Sequence, residues 1–178
     1  SDKTANMLKS KGIGKGDMVM VILKRHYQFW FTILALHKLG AVIIPATFML
    51  AKHDIVYRAN AADIKAVICT GEGDVAAHVD EAMLECPSLK IRIMVNGQRD
   101  GWDDFMSDME KADDCLERVD TRYDEPMIVY FSSGTTGNPK MAMHAHTYAL
   151  AHMTTAKYWH NVDADSVHLT IADTGWGK

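Results

Sequence analysis

Apolar residues fall in short unbroken clusters, separated by longer stretches in which they recur every three or four positions. The clusters Met18–Leu23, Ala41–Ala46, Ala66–Thr70, Ile91–Val95 and Met127–Phe131 are rich in Val and Ile and carry little polar interruption. A strand covered on both faces has no need of alternation, so these read as strands of a mostly parallel sheet. Val167–Ala172 does alternate, which predicts a further strand at an edge or with one wetter face. Between the clusters, Ile55, Val56, Ala59 and Ala62 share a helical face, as do Val75, Val79, Ala82 and Met83. Tyr27–Leu39 is apolar nearly all round, predicting a helix buried among other elements. Ala145, Ala149, Met153 and Ala156 form a small-residue stripe, predicting a helix that follows Lys140 directly and carries His144 and His146. Strands alternating with helices of this length imply right-handed βαβ units. The expected fold is α/β: a doubly wound, mostly parallel sheet with helices on both faces.

Two stretches punctuate this pattern. Lys11–Asp17 has a superficial G-x-G look, but it precedes a strand instead of following one. It reads as a helix stop with Gly12 as the cap. Asn96–Asp124 is polar and reads as a surface connection with a modest helix around Trp102–Lys111.

Composition narrows the function classes. With 178 residues the chain suits one domain, and a net charge of −4 argues against a general nucleic-acid or polybasic membrane role. No apolar run approaches the ~20 residues needed to span a bilayer; Phe29–Ala46 is interrupted by Thr32, His37, Lys38, Gly40 and Pro45. Cys69, Cys86 and Cys115 are odd in number and lack a CxxC pair, which excludes a disulfide framework and fits a reducing, cytoplasmic setting. The chain opens at Ser1 without methionine and stops just past a predicted strand, so both ends are expected to be cut within a longer protein.

The candidate chemistry lies in Tyr130–Lys140, YFSSGTTGNPK, directly after the apolar residues Met127–Val129. Glycines admit close backbone approach, hydroxyls and N–H groups donate to oxyanions, and a lysine adds charge, so the run has the composition of a phosphate grip. A flexible linker is the alternative, but linkers do not usually follow a buried strand and lead into a helix. Gly134 and Lys140 keep the spacing of a P-loop. Pro139 replaces that motif's second glycine and Met141 its magnesium-binding hydroxyl, which disfavours a standard P-loop NTPase. His144 and His146 are two apart and do not share a helical face, so they do not read as a metal pair.

Tyr130–Lys140 resembles the signature loop of the adenylate-forming (AMP-binding) superfamily. The segments Lys140–His144, Leu169–Trp176, Asp54–Arg58 and Glu85–Lys90 are similar to its medium-chain acyl-CoA synthetase branch. The resemblance covers nearly the whole chain and implies part of the N-terminal domain of a larger enzyme. The C-terminal domain and its catalytic lysine would lie downstream, and the fragment alone would be inactive. It implies activation of a small-molecule carboxylate with ATP and Mg2+ to an acyl-adenylate, then transfer to coenzyme A. Ser132, Ser133, Gly134, Thr135, Thr136, Gly137 and Lys140 would contact the ATP phosphates, with Thr135 and Thr136 near magnesium through them. Asp173, Thr174, Gly175 and Trp176 would border the acyl substrate; ordinary strand-end packing of Trp176 is the other reading. In Ala46–Leu50, Met49 stands where some relatives carry a polar residue associated with coenzyme A, so a contact from that loop is not expected. Two alternatives stay open: a non-catalytic nucleotide-binding module, and an adenylation domain that loads a carrier-protein thiol. Surfaces exposed by truncation would favour self-association.

Overall fold

The computed structural model describes residues 1–132 and 137–176. The elements run α1 (Asp2–Ser10), β1 (Met18–Ile22), α2 (Gln28–Leu39), β2 (Val42–Pro45), α3 (Lys52–Ala61), β3 (Ala66–Cys69) and α4 (Val75–Met83). They continue with β4 (Ile91–Met94), β5 (Asp103–Asp104), α5 (Phe105–Lys111), β6 (Pro126–Ser132), β7 (Lys140–Ala145) and α6 (Thr147–Tyr158). The strands form one seven-stranded sheet ordered β5-β4-β3-β1-β2-β6-β7. Every pairing is parallel except β6 with β7.

Why the strands read as continuous apolar runs is visible in where alternate residues go. Val19 and Val21 of β1, Ile43 of β2 and Ile68 of β3 enter one core with α1, α2 and α5. Met20, Ile22, Val42, Ile44 and Val67 enter the other with α3 and α4. Both faces are dry, so both parities must be apolar. Gly40 ends α2 in the left-handed conformation, φ 68°, where a Cβ would sit 3.0 Å from both Lys15 Cγ and Thr121 Cγ2. Gly12, φ 89°, turns the chain after α1, its N–H donating to the Lys9 carbonyl.

Three expectations need correction. Lys140–Ala145 is a strand antiparallel to β6, with Ser132 opposite Lys140 and Tyr130 opposite Ala142. Helix begins only at Thr147, so His144 lies on β7 and His146 caps α6. Backbone pairing with β6 offers Lys140–Ala145 a full ladder, which outweighs the helical preference of its alanines and methionines. Second, Val167–Ala172 pairs with no strand among the described residues, and Val167, Leu169 and Ile171 are exposed. Alternation specifies a strand only where an edge receives it. Third, α2 buries one face alone: Phe29, Leu36 and Leu39 are buried while Trp30 and Leu34 are exposed. Of the cysteines, Cys69 and Cys86 are buried free thiols and Cys115 is an exposed one; burial pushes the Cys69 thiol up to about 12.

Packing of the β6–β7 hairpin onto the body of the domain brings two histidines together. The His37 and His146 rings lie 6.1 Å apart, and the Nε2 of each is buried without a hydrogen-bond partner among the described residues. Burial, and then the neighbouring His146, pull His37 from its ordinary 6.5 to about 4. Between those values the unfolded chain takes up a proton that the folded one does not. The stability contributed by neutral His37 is therefore present above about pH 6.5 and is lost as pH falls toward 4. Urea midpoints measured from pH 7 to 4.5 should fall, and His37→Leu should flatten that fall; an unchanged slope in the variant would refute the assignment.

Candidate functional site

β2 and β6 are parallel neighbours, with Ile43 beside Ile128. Beyond their carboxyl ends the chain leaves in opposite directions: β2 feeds α3, which returns to β3 on the far side of β1, whereas β6 turns outward into β7. Divergence of this kind opens a crevice at the strand ends, where α/β sheets usually take ligands. A cavity of about 430 Å³ lies there, lined by Pro45, Ala46, Thr47, Met49 and Leu50 after β2, Arg58 of α3, Tyr130, Phe131, Ser132 and Pro139 of the hairpin, and Gly175 and Trp176. Its walls are mainly apolar, with polar groups at the hairpin end.

Helix α3 grips the hairpin at both stems. The Tyr57 hydroxyl donates to the Pro139 carbonyl at 2.9 Å on the exit side. On the entry side the Phe131 ring meets the Tyr57 ring edge-on, 6.3 Å between centroids, and lies 5.4 Å from the Arg58 guanidinium. Arg58 is held in turn by Asp54, one helical turn earlier, at 3.2 Å. Ser132 Oγ donates to the Lys140 carbonyl at 3.4 Å, closing the base of the hairpin. Gly137 has φ 108° and open space where a Cβ would stand, so the backbone there is free for close approach by a ligand.

A second strap crosses the other side. Thr174 Oγ1 donates to the carbonyls of Leu23 (2.8 Å) and Lys24 (3.2 Å) at the end of β1. Thr47 Oγ1 donates to Asp173 Oδ2 at 2.9 Å, and Asp173 Oδ1 accepts from the Gly175 N–H at 3.1 Å. Gly175 passes so close to the β2 exit that a Cβ would lie 2.2 Å from the Ala46 carbonyl carbon and the Thr47 nitrogen. No other residue fits without moving backbone.

The geometry divides the sequence-predicted residues. Ser132, Gly175 and Trp176 are brought to one cavity, while Asp173 and Thr174 anchor the strap behind it. Gly137 and Lys140 lie in the hairpin, Lys140 exposed and paired with no carboxylate among the described residues. Ser133, Gly134, Thr135 and Thr136 lie outside the described residues. Trp176 is half exposed and lines the cavity, so plain core packing does not describe it. His144 stacks on Tyr148 at 4.2 Å and near Tyr130 at 6.0 Å; burial, with Tyr148 beside it, pushes Tyr130 up to about 12 and keeps it neutral.

A larger cleft of about 650 Å³, lined by Met94 and residues 97–104, lies at the opposite edge of the sheet. Asp80 there accepts from Arg92, Arg99 and Trp102. Burial opposes its ionisation, but these donors outweigh burial and hold the carboxyl below its ordinary range. Asp80 is met by Arg92 and Arg99, and Asp103 of the lining by Lys11, so those charges are tied up in ion pairs.

The family model described as AMP-binding enzyme matches residues 1–177. The chain belongs to the AMP-binding enzyme family. Among its relatives, the mitochondrial acyl-coenzyme A synthetase ACSM4 of Mus musculus is 38% identical over all of this chain and 31% of its own length. The mitochondrial ACSM2A of Homo sapiens is 34% identical over 99% of this chain and 30% of its own. The chain thus spans about a third of the length of the curated relatives it matches. Among solved structures, an acyl-CoA synthetase of Brucella canis is similar with a TM-score of 0.84 and 22% identity, covering 98% of this chain and 32% of its own. The anthranilate CoA ligase AuaEII, solved with anthranoyl-AMP, gives 0.80 at 22% identity over 89% of this chain and 30% of its own. At that identity the likeness establishes the fold.

Sequence reasoning missed Thr47, Tyr57 and Arg58 as parts of this candidate site. Tyr57 and Arg58 fall in Asp54–Arg58, a segment similar to the family without an assigned role, and Thr47 falls in Ala46–Leu50, read only for its departure at Met49. The donor set fits phosphate: among the described residues, a serine hydroxyl, an open glycine backbone and a lysine without a carboxylate partner stand around one hairpin. For magnesium, no group of three or more His, Cys, Asp or Glu that could hold a metal occurs among the described residues. No helix among them is long and apolar enough to cross a membrane.

Proposed function

We propose that the chain is the N-terminal portion of an AMP-forming acid–thiol ligase, an acyl-CoA synthetase of medium-chain type. The observation that carries this reading is the convergence on one cavity of a phosphate-type hairpin and an apolar wall. Such a cavity suits a ligand with an anionic head and a greasy body. Mg·ATP would supply the electrophilic α-phosphorus, and coenzyme A the thiol that finally takes the acyl group.

In this reading the chain's own residues hold and orient. Ser132, Gly137 and Lys140, with Ser133, Gly134, Thr135 and Thr136 between them, donate to the β- and γ-phosphates and neutralise the departing pyrophosphate. Thr135 and Thr136 would reach magnesium through those phosphates. Gly175 and Trp176 wall the carboxylate's apolar part, with Asp173 and Thr174 holding them in place. Met49, exposed and apolar, offers no polar contact to coenzyme A. The relatives are named as coenzyme A synthetases, which favours coenzyme A over a carrier-protein thiol. Free thiols suit a reducing compartment; cytoplasm satisfies that, and the relatives' names weigh for a mitochondrial one. Exposed Leu150, Met153, Trp159, Val167 and Leu169 are the surface through which copies would self-associate, a reading that sedimentation unchanged by concentration would exclude.

The decisive assay is ATP- and coenzyme A-dependent thioester formation by the full-length protein. Lys140→Ala or Thr136→Val should lower kcat/KM about 10²-fold, the usual size of losing one donor to developing charge. Activity at the parental level in both variants would exclude the loop from the reaction. The chain of 178 residues by itself should release no pyrophosphate.

A further inference from the structure

We infer that Tyr57 is a positioning residue for the nucleotide loop, and that its hydroxyl holds the exit stem in the orientation that grips phosphate; this rests on the reading of the hairpin as the ATP site. Strand β7, the hairpin's outer stem, is otherwise weakly attached, whereas β6 is held by its pairing with β2 and by buried Met127, Ile128 and Val129. β7 is an edge strand with no buried residue, and its ladder to β6 ties the two stems only to each other. Among the described residues, the bond from Tyr57 to the Pro139 carbonyl is the one hydrogen bond joining residues 137–139 to the body of the domain.

The body to which it joins them is rigid. Helix α3 buries Ile55 and Ala59 fully in the second core. Asp54 caps its own helix by accepting from the Ala51 N–H at 3.2 Å, and it also holds Arg58. Consecutive residues of one helical turn therefore grip the exit stem through an oxygen and the entry stem through the face and edge of Phe131. Two stems indexed to one helix lose less freedom when a ligand binds beside them, so preorganisation appears as affinity. Tyr57→Phe removes the hydroxyl while keeping the ring against Phe131, which isolates the exit-stem bond.

The experiment pairs amide hydrogen exchange with Mg·ATP titration of this chain and its Y57F variant. Expected are faster exchange confined to residues 137–145, an unchanged melting temperature, and ATP binding weakened about five- to tenfold, the worth of one net hydrogen bond. Unaltered exchange in the hairpin, or altered exchange with equal ATP affinity, overturns the inference. So does a general loss of protection with a lower melting temperature, which marks a merely structural role. If exchange rises in the hairpin but the parent chain binds no nucleotide, the hydroxyl's hold on the loop stands and the ATP reading falls.

Discussion

Pairing of β2 with β6 is the contact on which the site depends, because it joins two parts of the chain far apart in sequence. Ile43 beside Ile128 places the β2 exit, Pro45–Leu50, against the hairpin that begins at Phe131. Backbone hydrogen bonds set the register, and since both faces are apolar it is the close packing of the two cores that penalises a slip of one residue. The cavity is thus a consequence of sheet topology, and the side chains lining it are those that happen to follow the strand ends.

The division of labour around the cavity is also physical. Apolar walls exclude water, which strengthens any charge interaction at the polar end. The strap through Asp173–Trp176 is closed by hydroxyl-to-carbonyl and hydroxyl-to-carboxylate bonds, and it reaches the β2 exit only because Gly175 has no Cβ. The hairpin on the other side is indexed to α3 through Tyr57 and Arg58. Neither arrangement contributes much to the core. Both convert core rigidity into a fixed position for groups near the cavity.

How much of this was legible in the sequence follows from the range of each interaction. Strands β1 to β4 and β6 and helices α2 to α4 announce themselves through local periodicity, because each is specified by its own residues. Strand β7 does not, since Lys140–Ala145 has no strong local preference and is a strand only by pairing with β6. The same lack of a partner leaves the alternating Val167–Ala172 unpaired among the described residues. Within the site, the glycine- and hydroxyl-rich run is legible because phosphate chemistry needs those residue types in sequence. Thr47 and Tyr57 act across the fold on residues 126 and 82 positions away, and Arg58 on the distant Phe131, and nothing in their local context marks them.

Nuclear magnetic resonance of the isotopically labelled chain, titrated with Mg·ATP, tests most directly whether the β2–β6 crevice is the nucleotide site. Shift changes should concentrate at the β6–β7 hairpin, the β2 exit around Ala46–Thr47 and the strap at Asp173–Trp176, leaving the cleft around Gly97–Asp104 unmoved. Saturable shifts centred on that far cleft, with the hairpin silent, would contradict it.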